Sequence, residues 1–118
     1  MIRKSGEHRV FARGPGVEIK VLAEPGEIYD AGRLYARITF EPGSSIDYHV
    51  HKAEMESYHM IKGTLRVDDN GETTYLTEGD TMITPQGQGH AVHNEGSESA
   101  EMIALIVSTK QGVPGSSG

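Results

Sequence analysis

Residues 43–63 read GSSIDYHVHKAEMESYHMIKG. Ile46 to His51 is read as one strand, Lys52 to Met55 as a turn, and Glu56 to Ile61 as the strand that returns. Side chains alternate faces along a strand, so His49 and His51 project to one side with their Cα atoms about 6.5–7 Å apart. The Glu56 carboxylate can come back beside them. Two imidazoles and a carboxylate so placed can share one ion, although a His-x-His on a strand is also compatible with two solvated histidines.

The pattern continues outward in both directions. Upstream, Val17 to Leu22 alternates, and Leu34, Ala36, Ile38 and Phe40 form an apolar face with Tyr35, Arg37 and Thr39 opposite. Pro42-Gly43 ends that strand. Downstream come Leu65 to Val67, Glu72 to Leu76, Thr81 to Thr84, His90 to Asn94 and the apolar run Met102 to Val107. Asp69-Asn70-Gly71 signals a hairpin, because Asn-Gly suits the positive φ angles of a type I′ turn. No segment sustains a 3.6-residue period. Fifteen glycines and five prolines supply frequent turns, and about nine short strands predict an all-β sandwich or barrel. Residues 1–16 are expected to form an irregular arm, 17–109 the barrel, and 110–118 a low-complexity tail.

The 118 residues suffice for one domain, and 24% charged with 36% hydrophobic residues suits a soluble fold. The net charge of −6 argues against nucleic acid and against an anionic membrane surface as partners. Cysteine is absent, which excludes disulfides, thiolate metal sites and cysteine nucleophiles. No apolar run approaches the ~20 residues of a bilayer span. Met1 to His8 lacks the apolar centre of a secretion signal, so a cytoplasmic location is expected.

A second stretch, residues 79–94, reads GDTMITPQGQGHAVHN. His90 opens a strand after a proline–glycine loop and offers a third imidazole. Three imidazoles and one carboxylate suit manganese, iron, cobalt, nickel or zinc. Together the two stretches resemble the cupin superfamily. Its first motif spaces a glycine, His-x-His, a glutamate and a glycine as Gly43, His49, His51, Glu56 and Gly63 stand here. Its second spaces a glycine, Pro-x-Gly, a histidine and an asparagine as do Gly79, Pro85, Gly87, His90 and Asn94. The segments ITFEPGSSI and VDDNGETTYLTEGD are similar to small bacterial cupins related to germins and oxalate decarboxylases.

The resemblance implies a double-stranded β-helix, or jelly roll, holding one divalent transition metal, manganese foremost, on His49, His51, Glu56 and His90. It implies structural roles for the motif glycines, Pro85 and Asn94. One position departs from it. Oxalate decarboxylases carry a substrate-gripping arginine three residues before the first ligand histidine, where this chain has Ile46. The metal site carries over; oxalate chemistry does not.

Asp47, two residues before His49, would share its face on an unbroken strand; it is the candidate for proton transfer or for orienting a ligand, or else a solvated rim residue, the favoured reading. Tyr58 and Met60, on the Glu56 face, are candidates for a substrate wall or for barrel filling. Arg37 would reach the cavity only if the Leu34–Phe40 apolar set packed outward; otherwise it is a surface residue. Met55 and Met82 are expected in the core. His59 and His93 fall on the opposite faces of their strands, away from the metal, and His8 is expected in solvent. Glu54 is the rival of Glu56 as ligand, disfavoured by the spacing.

A divalent ion with one carboxylate and three neutral imidazoles keeps a net charge of about +1 and, if six-coordinate, two positions for a chelating oxygen ligand. The expected function is a metal-dependent enzyme acting on a small oxygenated compound by decarboxylation, dioxygenation or isomerisation. The alternative is a non-catalytic metal- or sugar-binding sensor module. A surplus of apolar faces, from Leu34 to Phe40 and from Met102 to Val107, predicts a homodimer.

Overall fold

Asn70 and Gly71 both take positive φ, 51° and 89°, as a type I′ turn requires. They join β6 (Leu65–Asp69) to β7 (Glu72–Leu76), with Asp69 opposite Glu72. The computed structural model describes residues 1–109; the expected tail, 110–118, lies outside them. The other strands are β1 (Val10–Ala12), β2 (Val17–Val21), β3 (Gly32–Phe40), β4 (Ser45–Val50), β5 (Glu54–Lys62), β8 (Thr81–Thr84), β9 (Gly89–His93) and β10 (Ala100–Ser108).

They form two antiparallel sheets. One has six strands in the order β1-β2-β3-β10-β5-β8, and the other four in the order β4-β9-β6-β7. Each sheet turns one face inward, because apolar residues recur at every second position. Ala36, Ile38 and Phe40 of β3, Met102, Ala104 and Ile106 of β10, and Tyr58 and Met60 of β5 are buried on the larger sheet. Ile46, Leu65, Val67 and Val92 are buried on the smaller one. Truncating a side chain as deep as Phe40 to alanine costs about 3–5 kcal/mol in such a core. The result is the jelly-roll sandwich expected from the strand pattern.

The ends of the barrel are tied by side chains. Buried Asn94 donates from Nδ2 to the carbonyls of Phe40 and Glu98, each at 2.9 Å, and accepts from the Gly96 N–H at 2.9 Å. Gly32 faces the bulge between Ile106 and Val107, where a Cβ would lie 1.9 Å from the Ile106 carbonyl oxygen.

Three expectations are corrected. Residues 1–16 are not wholly irregular: Val10–Ala12 pairs with Glu18–Lys20, and a 3₁₀ turn covers Ser5–Glu7. The apolar set of β3 packs inward, so it is core and not a spare face for a partner. Glu54 and Met55 belong to β5 rather than to a turn. Met82 is in the core and Met55 is half-buried. Among the described residues no helix is long and apolar enough to cross a membrane.

Candidate metal centre

The centre forms where β4, β5 and β9 meet at one end of the sandwich. His49 stands on β4, His90 opposite it on β9, His51 just past the end of β4, and Glu56 on β5 of the other sheet. One nitrogen or oxygen atom from each of the four falls within 4.8 Å of the others. The three imidazoles stand edge to face, with interplanar angles of 84°, 83° and 67°.

Each imidazole is oriented by its Nδ1. His49 Nδ1–H donates to the Asp47 carbonyl at 2.9 Å, and His51 Nδ1–H to Glu54 Oε1 at 3.3 Å. His90 Nδ1 meets the buried Thr84 hydroxyl at 2.7 Å. Such partners fix which nitrogen is free to ligate. All three Nε2 atoms turn inward. Glu56 Oε1 lies 2.8 Å from that of His51, 2.9 Å from that of His90 and 3.7 Å from that of His49. The Nε2 atoms of His49 and His90 face each other at 3.0 Å. The carbonyl and carboxylate acceptors at Nδ1 of His49 and His51 leave Nε2 of each ring to ligate, and the donor set fits a divalent metal.

Burial works to raise the Glu56 carboxyl, but the charge and hydrogen bonding of the surrounding imidazoles outweigh it and hold the carboxyl at about 2. Glu56 is therefore ionised and ready to ligate. Tyr58 is fully buried with its hydroxyl 3.1 Å from His90 Nε2. Burial and the Glu56 charge push its phenol well above the usual range, so it stays a neutral donor. The His49 side chain is 22% exposed, against 2%, 4% and 0% for His51, Glu56 and His90. The centre opens to solvent on the His49 side.

Several candidates sit elsewhere. A β-bulge interrupts β4: Ile46 pairs with Val92 and His49 with His90, so Asp47 and Tyr48 share the place opposite Ala91. The unbroken strand assumed for Asp47 does not exist. Its carboxylate is exposed, and its carbonyl is the group that serves the site. Ile46 shares the inner face with His49 and is buried. Arg37 lies on the outer face, paired with Glu101 through Nε at 2.7 Å, which corrects its placement in the cavity. Met60 is core filling. Glu54 orients His51 and is itself held by Arg33 Nε at 2.7 Å. His59 bonds Thr81 on the outer face and His93 faces Asp68 there, both away from the centre as expected. His8 is half-buried in the arm, with Nδ1 3.2 Å from the Ser5 carbonyl. Sequence reasoning missed Thr84 and the orienting role of Glu54.

Residues 36–107 match the Cupin domain family. An oxalate-binding protein of Thermotoga maritima is 33% identical over 91 residues, spanning 77% of this chain and 75% of that protein. The crystal structure of a predicted oxalate decarboxylase from Thermotoga maritima superposes with a TM-score of 0.83 at 30% identity, covering 92% of this chain and 99% of that one. The mannose-1-phosphate guanylyltransferase ManC of Salmonella typhimurium is 34% identical over 78 residues, but this chain spans only 16% of its length. With both motifs intact, the fold matched along nearly its whole length and the four donors converging between the sheets, the chain belongs to the cupin family.

Proposed function

We propose that this protein is a metal-dependent enzyme that binds a small oxygenated anion at a divalent ion held by His49, His51, Glu56 and His90. The convergence of three Nδ1-anchored imidazoles and an ionised carboxylate on one point carries the reading. Manganese is the metal we favour, on the likeness to germin-related cupins; iron, zinc, nickel and cobalt fit the same donors. When bound, the ion polarises a chelated carbonyl or carboxylate and supplies Lewis acidity.

The chain's own residues do the rest. Tyr58 presents a buried, neutral hydroxyl beside the centre. Ile46 contributes an apolar wall. The oxalate-binding relative supports a small carboxylate as ligand. A dianion held at the metal needs a second positive contact, and Ile46 offers neither charge nor hydrogen bond. The absence of such a contact costs about 1.5–3 kcal/mol, at least tenfold in binding. We therefore infer a monoanionic or neutral oxygenated substrate and little turnover of oxalate. We place the protein in the cytoplasm, a compartment its lack of cysteine permits, and as a homodimer joined through the outer face of β10.

The test is a turnover assay of the manganese-loaded protein on oxalate, 2-oxoacids, diketones and keto-sugars, with oxygen uptake followed in parallel. Conversion of a 2-oxoacid, diketone or keto-sugar is expected. Brisk conversion of oxalate would remove the argument from Ile46. Silence on every compound, with tight binding of one, would replace the enzyme by the binding module.

A further inference from the structure

The ladder that carries His90 continues sideways. On one side His90 stands opposite His49, and on the other opposite Asp69 of β6. Leu65 and Val67, earlier on β6, are fully buried on the inner face, and strand alternation turns Asp69 to that face too. At the next step of the ladder the Asn70 N–H bonds the Gly89 carbonyl at 3.1 Å. Asp69 and His90 are thus a non-hydrogen-bonded pair, the kind in which Cα atoms approach to about 4.5 Å and side chains lie closest.

Asp69 is half-buried, but its Oδ1 is shielded from solvent and has no hydrogen-bond partner. Among the described residues the only other side-chain atom in that condition is Arg66 Nε, whose guanidinium is engaged on the outer face by Glu95 and Asp68. Asp69 has no such explanation. A bare buried acceptor is costly and calls for a partner that the protein alone does not supply. A carboxylate accepts only, so the partner must be a donor.

We infer that Asp69 selects the ligand at the metal centre by accepting a hydrogen bond from a hydroxyl carried next to the chelating carboxylate. The preferred ligand class is then a monoanionic 2-hydroxycarboxylate rather than a bare dicarboxylate. This rests on the metal-chelate reading above, which names an anion but not its donor.

Cobalt-loaded full-length protein, titrated with glycolate and with oxalate and followed by the cobalt absorption spectrum, tests it. In Asp69→Asn and Asp69→Ala the dissociation constant of glycolate should rise at least fivefold, while oxalate binds as before or more tightly. Cobalt content should stay at the wild-type level. The metal-free Asp69→Ala protein should melt at or above the wild-type temperature, since the bare oxygen is gone. Parallel loss of both anions, no change in either, or a lower melting temperature for Asp69→Ala would overturn the assignment. If wild-type protein responds to neither anion, the chelate reading falls and takes Asp69 with it. If it responds to both and the ratio is unmoved in the variants, Asp69 alone falls.

Discussion

Glu54, Thr84 and the Asp47 carbonyl do one job in three ways: each occupies an imidazole Nδ1 and leaves Nε2 for the centre. Removing such a partner leaves the ligand in place but lets its ring turn. Glu54→Ala and Thr84→Val should therefore lower metal affinity about 10–100-fold, read by competition against a chelator. His51→Ala and Glu56→Ala should lose stoichiometric metal outright. His59→Ala and His93→Ala, on the outer faces, should keep it. Full occupancy in the first pair, or loss in the second, would mean that the ion sits elsewhere. The ligands themselves were legible, because His49, His51, Glu56 and His90 keep a fixed spacing within two short stretches. Thr84 was not, because its position beside His90 depends on the register between β5 and β8, where Glu56 stands opposite Thr84. The unbroken strand assumed at Asp47 failed for a similar reason, while its carboxylate reaches solvent as the rim reading expects. A bulge adds one residue to β4, and no residue type in Ile46 to His49 announces it.

At the level of elements, the N-terminal segment is fastened by paired charges. Arg3 grips Glu27 through two bonds of 3.0 and 2.6 Å, and Arg9 grips Glu24 through two of 3.1 and 3.0 Å. The hydrogen bond from Arg3, aided by the backbone N–H of Glu24, holds the Glu27 carboxyl at about 2, and Arg9 lowers that of Glu24. In the unfolded chain a glutamate takes its proton near pH 4.3. The fastening is therefore complete above that pH and is lost as the pH falls through about 2. Hydrogen exchange should show the β1–β2 pairing losing protection between pH 4.5 and 2 while the β3–β10–β5 centre holds. Equal protection of both at pH 2 would sink this account. The sequence expectation of an irregular arm failed here because β1 spans only Val10–Ala12, and all three of its residues are exposed. A strand with no buried side leaves no alternation to read, and its pairing comes from backbone bonds to β2.

Across the whole molecule, the outer face of the larger sheet carries an apolar row on β10. Ile103, Leu105 and Val107 of β10 are half-buried there, flanked by Tyr35 at 38% exposure and Ile83 at 60%. The outer side of β10 thus alternates nothing polar into solvent beyond Glu101, as suits a face that meets a second copy. Sedimentation should give a dimer at micromolar concentration, and Leu105→Glu should yield monomer with its metal content unchanged. A wild-type monomer at that concentration would count against this. That same strand has a further consequence. β10 is the last strand in sequence among the described residues, yet it lies in the middle of its sheet, between β3 and β5. While a ribosome is still making the chain, β1-β2-β3 and β5-β8 can form only as separate ribbons with open edges. Every metal donor has by then been synthesised, but the sheet that carries Glu56 is completed only when Ala100–Ser108 leaves the exit tunnel and knits the ribbons together. The nascent protein is thus committed to folding late, and its two waiting edges are the place where a holding chaperone would be of most use.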